Sequence, residues 1–147
     1  MSAAMPVHLP SRELIEQMQS VMAKMPQAEL PTNHYFADGM YCREMIWPAG
    51  VTVVGKVHKK DHLFVLLKGE ATFSTDDGMK RVKAPCVIVG RSNGKRVGYA
   101  HEDSICLNIH RTDSRDLDEI ELELIEPDEQ ALFDASNKQI LDRLEHK

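Results

Sequence analysis

Cysteine and aromatic residues are both scarce in this chain of 147 residues. The three cysteines, Cys42, Cys86 and Cys106, lie far apart inside apolar stretches and form no CxxC pair. This spacing predicts buried, reduced thiols rather than disulfide bonds, as is usual for a cytoplasmic protein. The chain is long enough to bury a hydrophobic core of ordinary size, so we expect one domain that does not depend on disulfides.

Three further features are absent. No apolar run approaches the ~18 residues of a membrane span, and the N-terminus lacks the apolar segment of a signal peptide. The sequence has no GxGxxG or P-loop glycine pattern for nucleotide phosphates. The net charge of −5 argues against general nucleic-acid binding. We therefore expect a cytoplasmic protein with neither a membrane nor a nucleic-acid partner.

The charge that is present is unevenly distributed. Residues 79–96 include six basic residues and no acid, whereas residues 113–129 include nine acids and a single arginine, Arg115. A chain that is acidic overall can therefore have one positively charged face or pocket.

The apolar pattern predicts one domain in three parts. Residues 1–38 form a helix that begins after Ser11 and a connecting arm, residues 39–112 form a barrel, and residues 113–147 form helices that pack on it. The apolar side of the first helix, expected in core or dimer packing, comprises Leu14, Met18, Val21, Met22 and Met25.

Short strands with a period of two fill the middle part. Turn residues separate about eight of them, which is typical of an all-β sandwich or barrel. The predicted strands span residues 40–47, 51–58, 63–67, 71–75, 79–83, 86–89, 95–99 and 105–110.

The last part changes back to helical spacing. One predicted helix buries Leu117, Ile120 and Leu124 and is capped by Asp113 or Ser114; residues 120–124 also alternate as a strand would, but we prefer the helix. Further short helices, on the barrel or on a second subunit, are predicted around Leu132, Phe133, Ile140, Leu141 and Leu144.

Residues 55–70, GKVHKKDHLFVLLKGE, are the strongest candidate for a functional site. His58 and His62 lie four residues apart, directly before a buried apolar strand. In an unbroken strand Lys56, His58 and His62 would share one face, and a polar bend at residues 59–61 would bring the two histidines together across a corner. Either geometry directs two imidazoles and one ammonium at a common point.

The glycine and histidine spacing of this region resembles that of the cupin family. Its first motif falls on Gly50, Lys56, His58, His62 and Gly69. Lys56 takes the place of a family histidine and His62 that of a glutamate, and the second motif, at residues 90–95, has Lys95 in place of a histidine. The resemblance implies an all-β, cupin-like jelly-roll barrel of about eight short strands with flanking N- and C-terminal helices. The stretches GKVHKKDHL and KRVGYAHED are also similar to small cupin-like proteins of tailed bacteriophages, which would place the protein in the host cytoplasm.

Metal binding is one function open to these residues. Zinc, iron and manganese accept imidazole ligands, and His58 and His62 supply two of them. His101 or His110 would supply a third, although His110 ends a strand and is more simply explained as a packed histidine. A metal-dependent oxygenase or isomerase is the corresponding activity. The two lysines at ligand positions weigh against it, because an ammonium must lose a proton before it can bind a metal.

An anion-binding pocket without a metal is the alternative, and we rank it first. A nucleotide or phosphosugar would be bound by Lys56, Lys95, Arg96 and His101. Because neighbouring side chains of a strand point to opposite faces, Arg96 would point away from Lys95, and we favour an outer, solvated position for it. If Tyr99 shares a face with Lys95, then His58, His62 and Tyr99 would act as general acid and base, an arrangement that the resemblance implies from metal-free cupin-fold sugar epimerases. The remaining histidines, His8, His34 and His146, receive no role.

A non-enzymatic interaction protein is the third possibility. The barrel would be a scaffold in a phage host-interaction or virion-associated factor, and the methionine-rich first helix or the acidic last helix would bind a protein partner. Whether the protein is an enzyme is left open by the sequence. A homodimer is expected in every case, because an open barrel leaves strand edges that pairing would protect.

Overall fold

The structure, a computed structural model, describes residues 11–128 and 131–140. Two helices and nine strands occur within these residues. In chain order they are α1 (Arg12–Met22), β1 (Thr32–Ala37), β2 (Met40–Trp47), β3 (Thr52–Val54), β4 (His62–Lys68), β5 (Glu70–Thr75), β6 (Gly78–Lys83), β7 (Cys86–Gly90), β8 (Val97–Ala100), β9 (Ser104–Arg111) and α2 (Leu117–Leu124). Neither helix in this part of the chain has the length and apolar character needed to cross a lipid bilayer.

The strands form two antiparallel sheets that enclose a common core. One sheet has the order β1-β2-β9-β4-β7 and the other β3-β8-β5-β6. Between β3 and β9 the chain crosses from one sheet to the other at every connection except the β5–β6 hairpin. Met45 and Trp47 of the first sheet and Phe73 of the second are buried in the same cluster. The predicted all-β barrel is therefore confirmed, with one strand more than the pattern indicated.

The additional strand, β1, lies where the sequence pattern predicts only a connecting arm. Asp38 (φ 34°) and Gly39 (φ 75°) form a two-residue turn that joins β1 to β2. Two consecutive positive φ angles are typical of tight hairpin turns, in which Asp-Gly is a favoured pair. The Asp-Gly pair is thus a hairpin signal that places the strand before it in the five-stranded sheet.

Side chains on the inner face of the five-stranded sheet form three rows, because every second residue of paired strands points inward. The histidine row comprises Tyr41, His110, His62 and Gly90. The middle row comprises Arg43, Asn108, Phe64 and Ile88. The apolar row comprises Met45, Cys106, Leu66 and Cys86. The side chains of this face thus change from polar at one end of the barrel to apolar at the other over four residues of each strand.

Gly69 occupies the bend where the chain leaves β4 of one sheet for β5 of the other. Its φ is +93°, and a Cβ at this position would lie 2.1 Å from Oγ of Ser104 and 2.7 Å from the carbonyl oxygen of Asp103. Any other residue would be strained in its backbone and would clash with the neighbouring chain. The last glycine of the predicted motif is therefore needed for the fold.

Helix α1 begins as predicted, since the Oγ of Ser11 accepts a hydrogen bond from the N–H of Leu14 at 3.1 Å. Its buried face differs from the predicted one. Ile15 is buried, whereas Leu14 and Val21 are exposed. Met18 and Met22 of the predicted stripe are half-buried, so the packed face overlaps the predicted one but is centred nearer Ile15 and Ala23.

Helix α2 covers the end of the barrel at which the histidine row lies. Its N-cap is Asp116, rather than Asp113 or Ser114, and the cap accepts hydrogen bonds from the N–H groups of Asp118 and Glu119. Ile120 and Leu124 are buried against Tyr41. Residues 131–140 form a turn with an isolated bridge between Phe133 and Gln139 in place of the predicted short helix. The predicted helical residues Leu141 and Leu144 lie outside the described residues.

All three cysteines are free thiols in the structure. Cys106 is buried, whereas Cys42 and Cys86 are half-buried. Burial raises the pKa of Cys106 to about 11, so that this thiol stays protonated at neutral pH. The prediction of buried, reduced thiols is confirmed for Cys106, and holds for the other two only in that they are unpaired.

Candidate functional site

A cavity of about 320 Å³ lies between the two sheets. The histidine and middle rows form one wall, and β3 and β8 contribute to the opposite wall. Helix α2 lines the histidine end through Ile120, Glu121 and Leu124. This volume is at the small end of the range for ligand pockets in proteins.

Three imidazoles meet at the histidine end of the cavity. Nδ1 of His58 lies 2.8 Å from Nε2 of His110. The ring centroids of His58 and His62 are 4.1 Å apart, and those of His62 and His110 are 4.5 Å apart. One ring nitrogen from each histidine lies within 4.8 Å of the others. His58 and His62 thus lie together as expected, and the third imidazole is that of His110 and not that of His101.

Three separate segments hold these rings. His58 pairs as an isolated bridge with Ile125, directly after α2. His62 is the first residue of β4, and His110 lies near the end of β9, across from Tyr41. A Cβ at Gly90 would lie 2.7 Å from the ring of His62. The His62 ring therefore occupies the space that a side chain on β7 would need.

All three histidines are held in the neutral form. Burial, reinforced by the neighbouring His62 and His110, lowers the pKa of His58 from 6.5 to about 2. Burial and the nearby His62 lower the pKa of His110 to about 4. Burial also lowers the pKa of His62, against a hydrogen bond with the carbonyl oxygen of Lys60 and one with Asn108 that raise it. Neutral imidazoles keep a nitrogen lone pair available at pH 7.

This donor set fits a divalent transition metal. Neutral imidazole is a good ligand for zinc, iron and manganese, and three convergent imidazoles are a common protein contribution to a catalytic metal site. Within residues 11–128 and 131–140, His58, His62 and His110 form the cluster whose ligand atoms converge closely enough to hold an ion. No lysine contributes to it, so the two lysines at motif positions do not argue against a metal here.

The lysine-rich stretch is neutralised by the acidic segment. Lys56 lines the cavity, but its ammonium is paired with the carboxylate of Glu121 on α2. Lys60 is 3.7 Å from the carboxylate of Glu123, on the same helix. The two segments of opposite charge therefore pair with each other, and the predicted positive wall at Lys56 is largely compensated.

Lys95 lies outside the cavity, contrary to the prediction. Its side chain is 3% exposed, and its Nζ is 3.2 Å from a carboxylate oxygen of Asp128. Together with Arg12 and Glu126 it lines a separate, more polar pocket. The segment after α2 folds back over the barrel and supplies this carboxylate, so Lys95 joins two parts of the chain away from the histidines.

Tyr99 and His101 also lie away from the three histidines. Gly98 faces Trp47 in the barrel, so the adjacent Tyr99 points outward, and its side chain is 42% exposed. Its ring meets that of His101 edge-on, and Nε2 of His101 is 2.7 Å from Oγ1 of Thr72. The predicted arrangement of His58, His62 and Tyr99 around one ligand does not form, because alternation along β8 turns Tyr99 to the opposite face.

Arg96 and His34 lie nearer to the interior of the protein than the sequence predicted. Arg96 lines the cavity rather than the outer surface, and its guanidinium is 2.5 Å from the carboxylate of Asp76. His34, which received no role, lies with its Nδ1 2.6 Å from the hydroxyl oxygen of Tyr41. Burial raises the pKa of Tyr41 to about 12, so its hydroxyl is a proton donor. His8 and His146 lie outside the described residues.

Arg43 and Asn108 line the cavity but were not among the predicted site residues. They lie opposite each other on β2 and β9. The signal for Arg43 is its alternation with Tyr41, Met45 and Trp47, which puts one charge on an otherwise buried face. Asn108 shares an inward face with His110, two residues away. Pairing of the two strands, which is a long-range property, is what brings them together.

The sequence comparisons find no relative: no protein-family model and no curated protein matches the chain. Solved structures do match it. One is a cupin superfamily protein from Desulfitobacterium hafniense DCB-2, with a TM-score of 0.51 and 17% identity, covering 75% of this chain and 100% of that one. A second is a protein from Photorhabdus luminescens, with a TM-score of 0.50 and 14% identity over 56% of this chain and 75% of that one.

A salicylate 1,2-dioxygenase from Pseudaminobacter salicylatoxidans also matches, with a TM-score of 0.50 and 10% identity over 63% of this chain and 30% of the dioxygenase. At such identities the likeness shows the fold alone. The similarity to bacteriophage proteins stays a prediction from the sequence.

Proposed function

The chain has the cupin jelly-roll fold, and from that premise we propose that it is a metal-dependent enzyme acting on a small molecule held in the cavity. Its ion, zinc, iron or manganese, would be bound by His58, His62 and His110. The proposal rests on the convergence of three neutral imidazoles, that of His110 buried and those of His58 and His62 half-buried, whose ligand atoms lie within 4.8 Å of one another.

Three protein ligands favour a catalytic over a structural site. Structural zinc sites are usually closed by four protein ligands, whereas catalytic sites keep a position for water or substrate. Such an ion would supply Lewis-acid or redox chemistry at the histidine end of the cavity. The chain's own residues would exclude bulk water, since Ile120 and Leu124 of α2 are buried at that end.

The metal-free candidates are weaker. Acid–base chemistry with a tyrosine would need Tyr99, which points away from His58 and His62. A nucleotide or phosphosugar would need several free cations, yet Lys56, Lys95 and Arg96 each contact a carboxylate. A role as a phage scaffold protein is favoured by no particular contact.

The direct test is metal content. Protein purified without chelator, or loaded with Zn²⁺ or Co²⁺ and desalted, should retain about one ion per chain by elemental analysis. His110→Leu should lose that ion, whereas His101→Leu, which changes a histidine outside the cavity, should keep it. The proposal is wrong if the wild-type chain retains no stoichiometric transition metal, or if the two variants retain it equally.

A further inference from the structure

Among the described residues four cationic side chains line the cavity, and they differ in whether a carboxylate lies close enough to neutralise them. Lys56 is paired with Glu121, Arg91 with Asp61 and Arg96 with Asp76. The fourth is Arg43, for which the structure gives no ion pair or side-chain hydrogen bond among residues 11–128 and 131–140. The cavity therefore holds one guanidinium whose charge is not compensated by this part of the chain.

The position of Arg43 explains why it stays unpaired. It lies on the inner side of β2 between the buried residues Tyr41 and Met45. The adjacent carboxylate, that of Glu44, points to the other side of the sheet, where it accepts a hydrogen bond from Asn33 at 2.9 Å. Among the described residues no buried side-chain nitrogen or oxygen lacks a partner, so the guanidinium of Arg43 opens onto the cavity rather than being sealed in protein.

Arg43 lies close to the histidines, in a cavity that is also lined by large apolar side chains. Asn108 lies across from it in the strand pair, and its side chain is near enough to His62 to raise the pKa of that imidazole. The positive charge of Arg43 is near enough to lower the pKa of both His58 and His110. The cavity wall also includes the apolar side chains of Met45, Trp47, Phe64, Phe73 and Ile88.

We propose that Arg43 binds the carboxylate of the substrate, and that this substrate is a small monocarboxylate with an apolar body. A guanidinium matches a carboxylate in charge and in its two-point geometry. A phosphate monoester carries nearly two negative charges, of which a single uncompensated arginine balances only one. The inference rests on the proposed function in one respect, namely that the histidine site acts on the molecule that Arg43 holds.

Calorimetric titration of the chelator-treated, metal-free protein tests the anion site independently of the metal. The probes are 4-methylpentanoate and benzoate, each compared with its neutral amide, together with phenyl phosphate. At least one carboxylate should bind about tenfold or more tightly than its amide, because the charge-assisted bonds to Arg43 are absent from the amide complex. Phenyl phosphate should bind more weakly than benzoate.

Variants assign the effect to Arg43. Arg43→Gln should reduce carboxylate binding to the level of the amide, and Arg43→Lys should restore part of it. Arg111→Gln is the matched control, because Arg111 is an exposed arginine on the outer side of the same sheet. If Arg43→Gln fails to fold, the ratio of carboxylate to amide affinity in the wild-type protein still decides the question.

The outcomes separate this inference from the proposed function. Carboxylate binding without metal retention would leave the anion site standing and remove the metal enzyme. Metal retention with equal binding of carboxylates and amides would remove the anion site alone. Tighter binding of phenyl phosphate than of benzoate would overturn the assignment to a monocarboxylate, and an equal loss in Arg43→Gln and Arg111→Gln would overturn the assignment to Arg43.

Discussion

The histidine row and the apolar row lie on the same face of the same sheet, separated only by the middle row. In the apolar row Leu66 and Cys106 are almost completely buried, and no side chain is charged. In the histidine row the imidazoles of His62 and His110 are partly withdrawn from water, and this desolvation lowers their pKa values. One end of the sheet is thus built for stability, and the other holds polar groups at a cost in stability.

The same strands can carry both tasks, since the histidine and apolar rows are four residues apart along each strand and the middle row separates them. A substitution in one row should therefore change mainly one property. Apolar-row variants should lose folding free energy and keep the metal site, whereas histidine-row variants should lose the site and keep the fold.

The largest effect on stability is expected in the apolar row. Leu66→Ala should lower the free energy of unfolding by about 2 to 5 kcal/mol, because it leaves a cavity in a close-packed core. Urea denaturation followed by circular dichroism measures this change. Leu122→Ala, at a side chain that is 75% exposed on α2, is the control and should change stability by less than about 0.5 kcal/mol. Loss of metal binding by folded Leu66→Ala would break the division between the rows.

Gly90→Ala should affect the histidine row selectively. The new methyl group would displace the His62 ring, which lies 2.7 Å from the position of a Cβ, and the ring can rotate away at little cost to the fold. We expect metal affinity to fall about 10- to 100-fold, as for other disturbances of ligand orientation, with little change in melting temperature. Competition titration with a colorimetric chelator measures the affinity.

Gly55→Ala is the matched control for Gly90→Ala. A Cβ at position 55 would have only ordinary contact, 3.9 Å from the carbonyl oxygen of Arg96. If Gly90→Ala binds metal as tightly as Gly55→Ala does, the ring of His62 is not needed for the site.

The metal-free protein should lose stability in acid because of the histidine row. The folded-state pKa values of His58 and His110 lie near 2 and 4, below the ordinary value of 6.5. The unfolded chain therefore takes up protons first as the pH falls. The stability is fully present above pH ~6.5 and is lost progressively below it, by up to about 1.4 kcal/mol per pH unit for each such histidine.

Thermal unfolding of chelator-treated protein between pH 7.5 and 4.5 measures this loss. His110→Leu should show a shallower pH dependence than the wild type, because it removes one of the groups that must remain neutral. An equally steep dependence in the variant would mean that carboxylates outside the row cause the acid sensitivity.

Substitutions on the outer face of the five-stranded sheet should change self-association. They should have the smallest effect on the histidine row and on the apolar row. Leu63, Leu67, Val87 and Val89 are exposed on β4 and β7. A five-stranded face has an area of about 500 Å² per subunit, so two copies would bury about 1,000 Å², the lower limit for a specific interface. The predicted homodimer would then pair through sheet faces.

Light scattering during size-exclusion chromatography at micromolar concentration measures this association. Val87→Lys should yield monomers, whereas Val21→Lys, at a similarly exposed valine on α1, should not. A monomeric wild type, or a dimeric Val87→Lys, would contradict pairing through this face.

The fold was readable from local patterns, and half of the site was not. Period-two alternation and turn glycines locate eight strands, and the spacing of His58 and His62 places both imidazoles at one end of the barrel. His110 was one of two candidates for the third ligand, and the alternation of β2 indicated only that Arg43 faces inward. The β2–β9 pairing, which sets Arg43 opposite Asn108 and Tyr41 opposite His110, brings both into the cavity and cannot be read from either segment alone.

The predicted cations Lys56 and Lys95 are paired with carboxylates for a related reason. The sequence separates basic from acidic residues, but folding brings Lys56 to Glu121 and Lys95 to Asp128. The distribution of charges along the sequence therefore does not show which charges are paired in the folded protein.

The chain crosses from one sheet to the other at Gly69, and this determines which substitutions residues 50–69 can tolerate. In a library selected only for folded protein, position 69 should accept glycine alone, because any Cβ meets the backbone of Asp103 and Ser104. Positions 58 and 62 should vary freely under that selection and become restricted only when metal retention is selected as well. Selection for folding should therefore act on Gly69, and selection for metal binding on His58 and His62. Related proteins can then keep the barrel fold while the residues that line its cavity change.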